Sequence, residues 1–208
     1  MIKASHNKFR IHFFTAYSRL LMKLYFRRVN YIGHYEEKNL PVLILANHFS
    51  WFDGFIQTGL NNRFFHRRYF VMMLEEQLRK HMFLRKVGCF SIEKGSRNIM
   101  ESLNYSIEIL KDRRNALLLH PQGRIQSLYT EPLEFEKGLE YILNKIDYRA
   151  DMIFNVNLID YFSHQRPEMN CYFQSFSLSE KPGLKEIETA YNRYMQICKS
   201  KQKEEWPG

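Results

Sequence analysis

Six short apolar runs, at 42–46, 69–74, 90–93, 116–119, 152–159 and 171–178, restrict this chain more than any other feature. Runs of this length, bounded by polar or turn-forming residues, read as buried strands. Between the third and fourth, Ile99, Leu103, Ile107 and Leu110 recur at three- and four-residue spacing, which predicts an amphipathic crossover helix. Strand, helix, strand implies an α/β fold, a single domain whose central, mostly parallel mixed sheet is flanked by helices. With 208 residues the chain is long enough to bury a real core and too short for two full catalytic domains. Gly33 and the polar stretch 36–39 read as a turn, Leu139, Ile142 and Leu143 as one face of a helix opened by Gly138, and 184–204 as a charged surface helix after the Pro182-Gly183 break. The α/β domain is expected over 31–208, with its chemistry-bearing part at 40–160.

The segment ahead of that domain, 1–30, has a different character. Lys3, Lys8, Arg10, Arg19, Lys23, Arg27 and Arg28 fall within the first 28 residues, where no acidic residue occurs, and they supply most of the net charge of +9. Projected as a helix, Phe9, Phe13, Tyr17, Leu20, Leu21, Leu24 and Tyr25 share a broad face, and Lys8, His12, Arg19, Lys23 and Arg27 gather on another. Such a helix lies in a headgroup region, its apolar face in the acyl boundary and its cations on anionic lipids. The alternative is a terminal helix docked on its own domain. Nucleic acid is disfavoured as a partner, because a groove-reading helix has no use for so strong a greasy stripe. Three scattered cysteines fit a reducing compartment and neither a disulfide framework nor a paired metal site. No segment approaches the roughly 20 apolar residues of a spanning helix, and no signal peptide is recognisable. The expected location is cytoplasmic and peripheral, on the inner face of the membrane.

Residues 47–53 read Asn-His-Phe-Ser-Trp-Phe-Asp, directly after the run at 42–46. An imidazole at a strand's exit faces a cleft, and a carboxylate one helical turn later reaches back to hold it. His48 and Asp53 are therefore the candidate base and its orienter. Two further blocks leave strands in the same way. In Gly88-Cys89-Phe90-Ser91-Ile92-Glu93-Lys94 a cation ends a short strand, and in His120-Pro121-Gln122-Gly123-Arg124 polar and basic groups follow the run at 116–119. In open α/β sheets ligands sit at this edge. Each block taken singly also reads as turn punctuation or a solvated charge.

Together, in this order, these blocks resemble the glycerolipid (lysophospholipid) acyltransferase family. Asn47-His48 to Asp53 matches the first block, a His and an Asp separated by four residues. Gly88 to Lys94 looks like the second, which usually ends in Arg, and Pro121-Gln122-Gly123 resembles the third, usually Phe-Pro-Glu-Gly-Thr-Arg. Phe135 to Gly138 is similar to the Phe-Lys-x-Gly that follows it, and 153–159 occupies the place of the fourth, Pro-containing strand. Three departures stand out: Lys94 for Arg, Gln122 for Glu with Arg124 at the usual Thr position, and no Pro in the fourth segment. The first keeps charge but loses the bidentate fork suited to phosphate. The second removes a carboxylate that the family places in the acceptor site.

The resemblance implies transfer of a fatty acyl group from acyl-CoA or acyl carrier protein to a lysophospholipid-like hydroxyl, such as that of 1-acylglycerol 3-phosphate. His48 and Asp53 would be catalytic, and Asn47, Lys94, Gln122, Gly123 and Arg124 would contact substrate. No metal or cofactor is expected, since the chain carries no nucleotide-binding glycine loop and no paired-histidine zinc motif. Cys89 as an acyl-accepting nucleophile and His120 as the base are the rivals within the mechanism. Another acceptor alcohol (a glycolipid, sugar or amino-acid lipid), or a basic lipid-binding protein without chemistry, are the rivals to the function.

Overall fold

The computed structural model describes residues 1–93, 95, 99–177 and 181–204. Its centre is one sheet of seven strands: β1 (Arg28–Gly33), β2 (Val42–Ala46), β3 (Arg68–Leu74), β4 (Cys89–Ile92), β5 (Asn115–Leu119), β6 (Asp151–Asp160) and β7 (Glu168–Phe176). Their order across the sheet is β1-β7-β6-β2-β5-β3-β4. All neighbouring pairs are parallel except β6 with β7, so the sheet is the mostly parallel, mixed one expected. β2 is central and every residue in it is buried, which is why its sequence is apolar without alternation.

Among the described residues six α-helices cover the sheet: α1 (Lys8–Tyr25), α2 (Asp53–Leu60), α3 (Glu75–Lys80), α4 (Ile99–Ile109), α5 (Gly138–Lys145) and α6 (Leu184–Glu204). Alternate strand residues face two separate layers. Leu43, Leu45, Leu117, Leu119, Phe154 and Val156 pack with Leu103 and Ile107 of α4, Leu139 and Ile142 of α5, and Tyr191 and Met195 of α6. Val42, Ile44, Ala46, Ala116, Leu118 and Ile153 pack on the other face with Leu21 and Met22 of α1 and Ile56 and Leu60 of α2. Ile56 and Leu60 are wholly buried, each contributing about 1.5–3 kcal/mol, so α2 is fixed on the sheet immediately behind the 47–53 segment.

Two parts of the chain depart from the sequence reading. Residues 28–33, divided in the sequence reading between the helix-bearing segment 1–30 and the turn at Gly33, form edge strand β1, in parallel register with β7 from Arg28–Glu168 to Gly33–Phe173. A side chain at Gly33 would meet the Phe173 carbonyl at 2.1 Å, so glycine is needed there for close approach of the strands. The amphipathic stretch forms α1, capped by Asn7, whose Oδ1 accepts from the Arg10 N–H (3.0 Å). Its apolar residues do not share one environment. Leu21 faces inward with Phe14, Ser18 and Met22, whereas Phe9, Phe13, Tyr17, Leu20, Leu24 and Tyr25 are exposed. The helix is thus docked on the domain by one face and presents a second apolar face outward. Residues 1–7 run along the β4 edge, where the Ser91 N–H donates to the Ile2 carbonyl (2.9 Å), and so protect that edge strand.

Candidate active site

β2 is followed by α2 and then β3 on one side, whereas β5, its register partner, is followed by α5 and then β6 on the other. The chain leaves these adjacent strands in opposite directions, and such a switch point opens a crevice at the strands' carboxyl ends. His48 follows β2 there and His120 follows β5. Asn47 holds the exit of β2: its Nδ2 donates to the Asn157 carbonyl (2.9 Å) and its Oδ1 accepts from the Asn157 N–H (2.8 Å). Both polar atoms of Asn47, expected at substrate, are thereby engaged with β6.

Asp53 is the first residue of α2 and is buried. Its Oδ2 accepts from His48 Nδ1 (2.5 Å), from the Phe49 N–H (3.0 Å) and from the Ser50 N–H (3.2 Å), and its Oδ1 accepts from the Ser50 hydroxyl (3.3 Å). Four donors fix the carboxylate, and the carboxylate fixes the imidazole with Nδ1 turned inward. This leaves Nε2 for a reacting group. The His48 side chain is 27 % exposed, open enough to meet a substrate. Ser50 carried no functional signal in sequence beyond standing three residues before Asp53.

His120 lies against His48, ring centroids 4.2 Å apart and planes 14° from parallel. Its Nδ1–H donates to the Ala46 carbonyl (2.9 Å). Enclosure, and secondarily the neighbouring His48, push its pKa down to about 4, so this ring is neutral at physiological pH. Gln122 is buried, and its Nε2 donates to the His48 carbonyl (3.0 Å), which also accepts from the Gln126 N–H (2.9 Å). Gly123 takes a left-handed backbone (φ 64°) in a turn that spends its N–H on the His120 carbonyl (2.9 Å). Arg124 is exposed at the mouth of this turn. Lys94 lies outside the described residues.

Gly88, which opens the second block, has a structural reason to be glycine: its φ is 112°, and a side chain there would meet the Tyr69 carbonyl at 2.0 Å. Cys89 is buried and its thiol is pushed up to about 12 by that burial, so it supplies no thiolate for covalent catalysis. His48, Asp53 and His120 offer ligand atoms within 4.8 Å of one another. The two imidazoles are nearly parallel, however, so their in-plane lone pairs run side by side rather than converging on one ion. The arrangement has the geometry a general base needs, an imidazole with an orienting carboxylate and a neutral ring at its back.

Below the site, β6 turns polar residues toward α2. Asn155 accepts from Gln57 and from Asn157 Nδ2 (3.0 Å), and donates to the Tyr172 carbonyl (2.9 Å). Gln57 and Asn155 lie 98 residues apart in sequence, so single-residue inspection of 152–159 does not reveal their pairing. They brace α2, and with it Asp53, on the sheet.

A model of the acyltransferase family matches residues 25–154, from the end of α1 into β6 and across the whole crevice. The chain belongs to the acyltransferase family. Among curated proteins none matches it. The acyltransferase domain makes the protein an enzyme, and the family's chemistry is acyl transfer to a lipid acceptor. Among the described residues, no helix of this acyltransferase is long and apolar enough to cross a membrane.

Proposed function

We propose that this acyltransferase moves a fatty acyl group from a thioester, acyl-CoA or acyl carrier protein, to a hydroxyl of a lysophospholipid-like acceptor at a membrane surface. The observation that carries the reading is the 2.5 Å pair of His48 and buried Asp53 at the switch point. His48 Nε2 takes the proton of the acceptor hydroxyl as its oxygen attacks the thioester carbonyl. Asp53 holds the tautomer that makes this possible and stabilises the imidazolium formed. The tetrahedral intermediate then collapses, the thiol leaves with a proton, and the ester remains. Exposed Arg124, with Lys94 as its expected counterpart in sequence, serves a polar or anionic headgroup.

The membrane part of the reading is supported by the surface beside the site. Trp51, within the His48–Asp53 segment, is 64 % exposed and packs on Phe55 (4.8 Å), which Tyr17 of α1 also meets (6.1 Å). Tyr25 meets Phe52 in the same way (5.2 Å). The site's rim and the outer face of α1 therefore form one aromatic surface, flanked by Lys8, Arg19 and Lys23. The hollow next to His48, lined by Asn47, Gln122, Gln126, Leu133 and Met195, is only about 10 Å³, room for about one water. A long acyl chain has no room there and stays with the lipid, consistent with a site opening toward a bilayer.

The test is release of free thiol from a long-chain acyl-CoA or acyl carrier protein, followed with anionic vesicles and a panel of acceptors: 1-acylglycerol 3-phosphate, other lysophospholipids, glycolipids and amino-acid lipids. Acceptor-dependent release that disappears in His48→Ala is the expected outcome, with a loss of about 10² to 10⁴ in rate. Unchanged release in that variant would refute the assignment of the base, and no release with any acceptor would favour a lipid-binding protein.

A further inference from the structure

The segment from His120 to Gln126 touches His48 at three points that the general-base reading does not use. His120 covers one face of the imidazole at 4.2 Å. Gln122 Nε2 and the Gln126 N–H both donate to the His48 carbonyl (3.0 and 2.9 Å). We propose that this segment is a clamp on the catalytic base, and that His120 and Gln122 are positioning residues of the acyl transfer rather than acceptor ligands. The inference rests on the reading of His48 as the base.

Each contact restricts a different motion. Asp53 grips one ring edge of His48 and so sets rotation within the ring plane, but a bond at one edge leaves the ring free to tilt. A near-parallel ring against its face removes the tilt. His120 can serve as that backing because it is itself tethered, its Nδ1–H on the Ala46 carbonyl. Held neutral, it can stack on a neighbour that becomes cationic in every turnover without adding a second positive charge.

Gln122 fixes the backbone beneath the ring. Where the acyltransferase family usually has Glu in its third block, this chain has an amide, and an amide N–H donates to a carbonyl as an ionised carboxylate cannot. The residue is 5 % exposed, and its Oε1 is buried without a hydrogen-bond partner, so the amide is held by its donor end alone. A carboxylate in the same position would set acceptor against acceptor at the His48 carbonyl. The departure at position 122 thus couples the third block to the first, and the chain uses this residue internally.

The variants His120→Ala, His120→Phe, Gln122→Glu and Gln122→Ala separate this idea from a merely structural role. The steady-state readout is kcat and KM for the donor and acceptor that support turnover in the wild type. Because a small misplacement of a reacting group costs up to on the order of 100-fold, His120→Ala is expected to lower kcat by about 10- to 100-fold with KM unchanged. His120→Phe, which keeps a ring at the same place, is expected to restore most of it. Gln122→Glu is expected to lower kcat with every acceptor, the Gln122→Ala variant falling less. A second readout needs no substrate: the rate at which diethyl pyrocarbonate modifies His48, measured on the His48 peptide by mass spectrometry. It should rise several-fold in His120→Ala and return toward wild type in His120→Phe. Wild-type kcat together with an unchanged modification rate in His120→Ala would overturn the clamp. So would a gain of turnover on 1-acylglycerol 3-phosphate in Gln122→Glu, which would return position 122 to the acceptor site. If the wild type turns over no acceptor, the proposed function fails, and the modification rates still decide the clamp.

Discussion

Replacing Asp53 by Asn removes one charge while keeping the shape of the site, and it isolates what the carboxylate does. In the native protein Oδ2 accepts three hydrogen bonds, from His48 Nδ1 and from the N–H groups of Phe49 and Ser50. An amide oxygen at that place still accepts all three. The amide nitrogen then faces the Ser50 hydroxyl (3.3 Å from Oδ1), which can rotate to accept. Geometry therefore survives, and the fold should lose little stability. What is lost is the negative charge that, in the proposed reaction, stabilises the imidazolium as His48 takes its proton. In a His–carboxylate pair of this kind the same exchange costs on the order of 10⁴ in kcat, equal to about 5 kcal/mol at 1.36 kcal/mol per decade. Because His48 is 27 % exposed, solvent replaces part of that stabilisation, and a loss of about 10² to 10⁴ is expected. Asp53→Ala is the companion. It loses comparable activity and also leaves the Phe49 and Ser50 N–H groups without their acceptor, at about 1–3 kcal/mol each where water does not reach them. Thiol release from the acyl donor gives the rates, and urea unfolding gives the stabilities. If Asp53→Asn turned over at the wild-type rate, the carboxylate would be a structural cap on the start of α2 and the base would have to be sought elsewhere.

Two further outcomes follow from the same structure. His120 has an ordinary pKa of 6.5 and a folded value of about 4, so as pH falls the unfolded chain takes up a proton over an interval where the folded protein does not. Its contribution to stability is therefore whole above about pH 6.5 and is lost progressively toward pH 4, by on the order of 1–2 kcal/mol at pH 5. Thermal unfolding should then show a smaller drop between pH 7 and pH 5 for His120→Phe than for wild type, and an equal drop would contradict the shift. For the outer face of α1, Phe13→Glu and Leu20→Glu change exposed residues and should leave the melting temperature alone. Sedimentation with anionic vesicles should show binding about tenfold weaker or worse for each, since burying one such side chain is worth about 1.5–3 kcal/mol. Vesicle binding equal to wild type would remove α1 as the lipid contact.

What could be read from sequence divides along the range of the interactions involved. β2 was legible to the residue at 42–46 because a strand buried on both faces must be apolar throughout. β1 was not, because an edge strand reading Arg-Val-Asn-Tyr-Ile-Gly needs only half-buried positions and looks like the end of a basic helix. In α1 the periodicity revealed an apolar face but not that Leu21 is covered by the domain while Leu20 and Leu24 are exposed, a distinction made only by where α2 lies. The pairing of His48 with Asp53 is local, five positions within one turn and the start of one helix, so the spacing itself suggests it. The contacts of His120 and Gln122 with His48 span more than seventy residues, and they arise from one non-local fact: Leu45 and Leu119 are register partners in adjacent parallel strands. Once that register is set, the residues that follow the two strands emerge side by side, and a polar block after β5 falls against His48 after β2. The same register explains why the first and third blocks carry a signal together that neither carries alone. Their chemistry is joined by the sheet, so exchanging Gln122 is a change to the surroundings of His48 even though the two residues lie far apart in the chain.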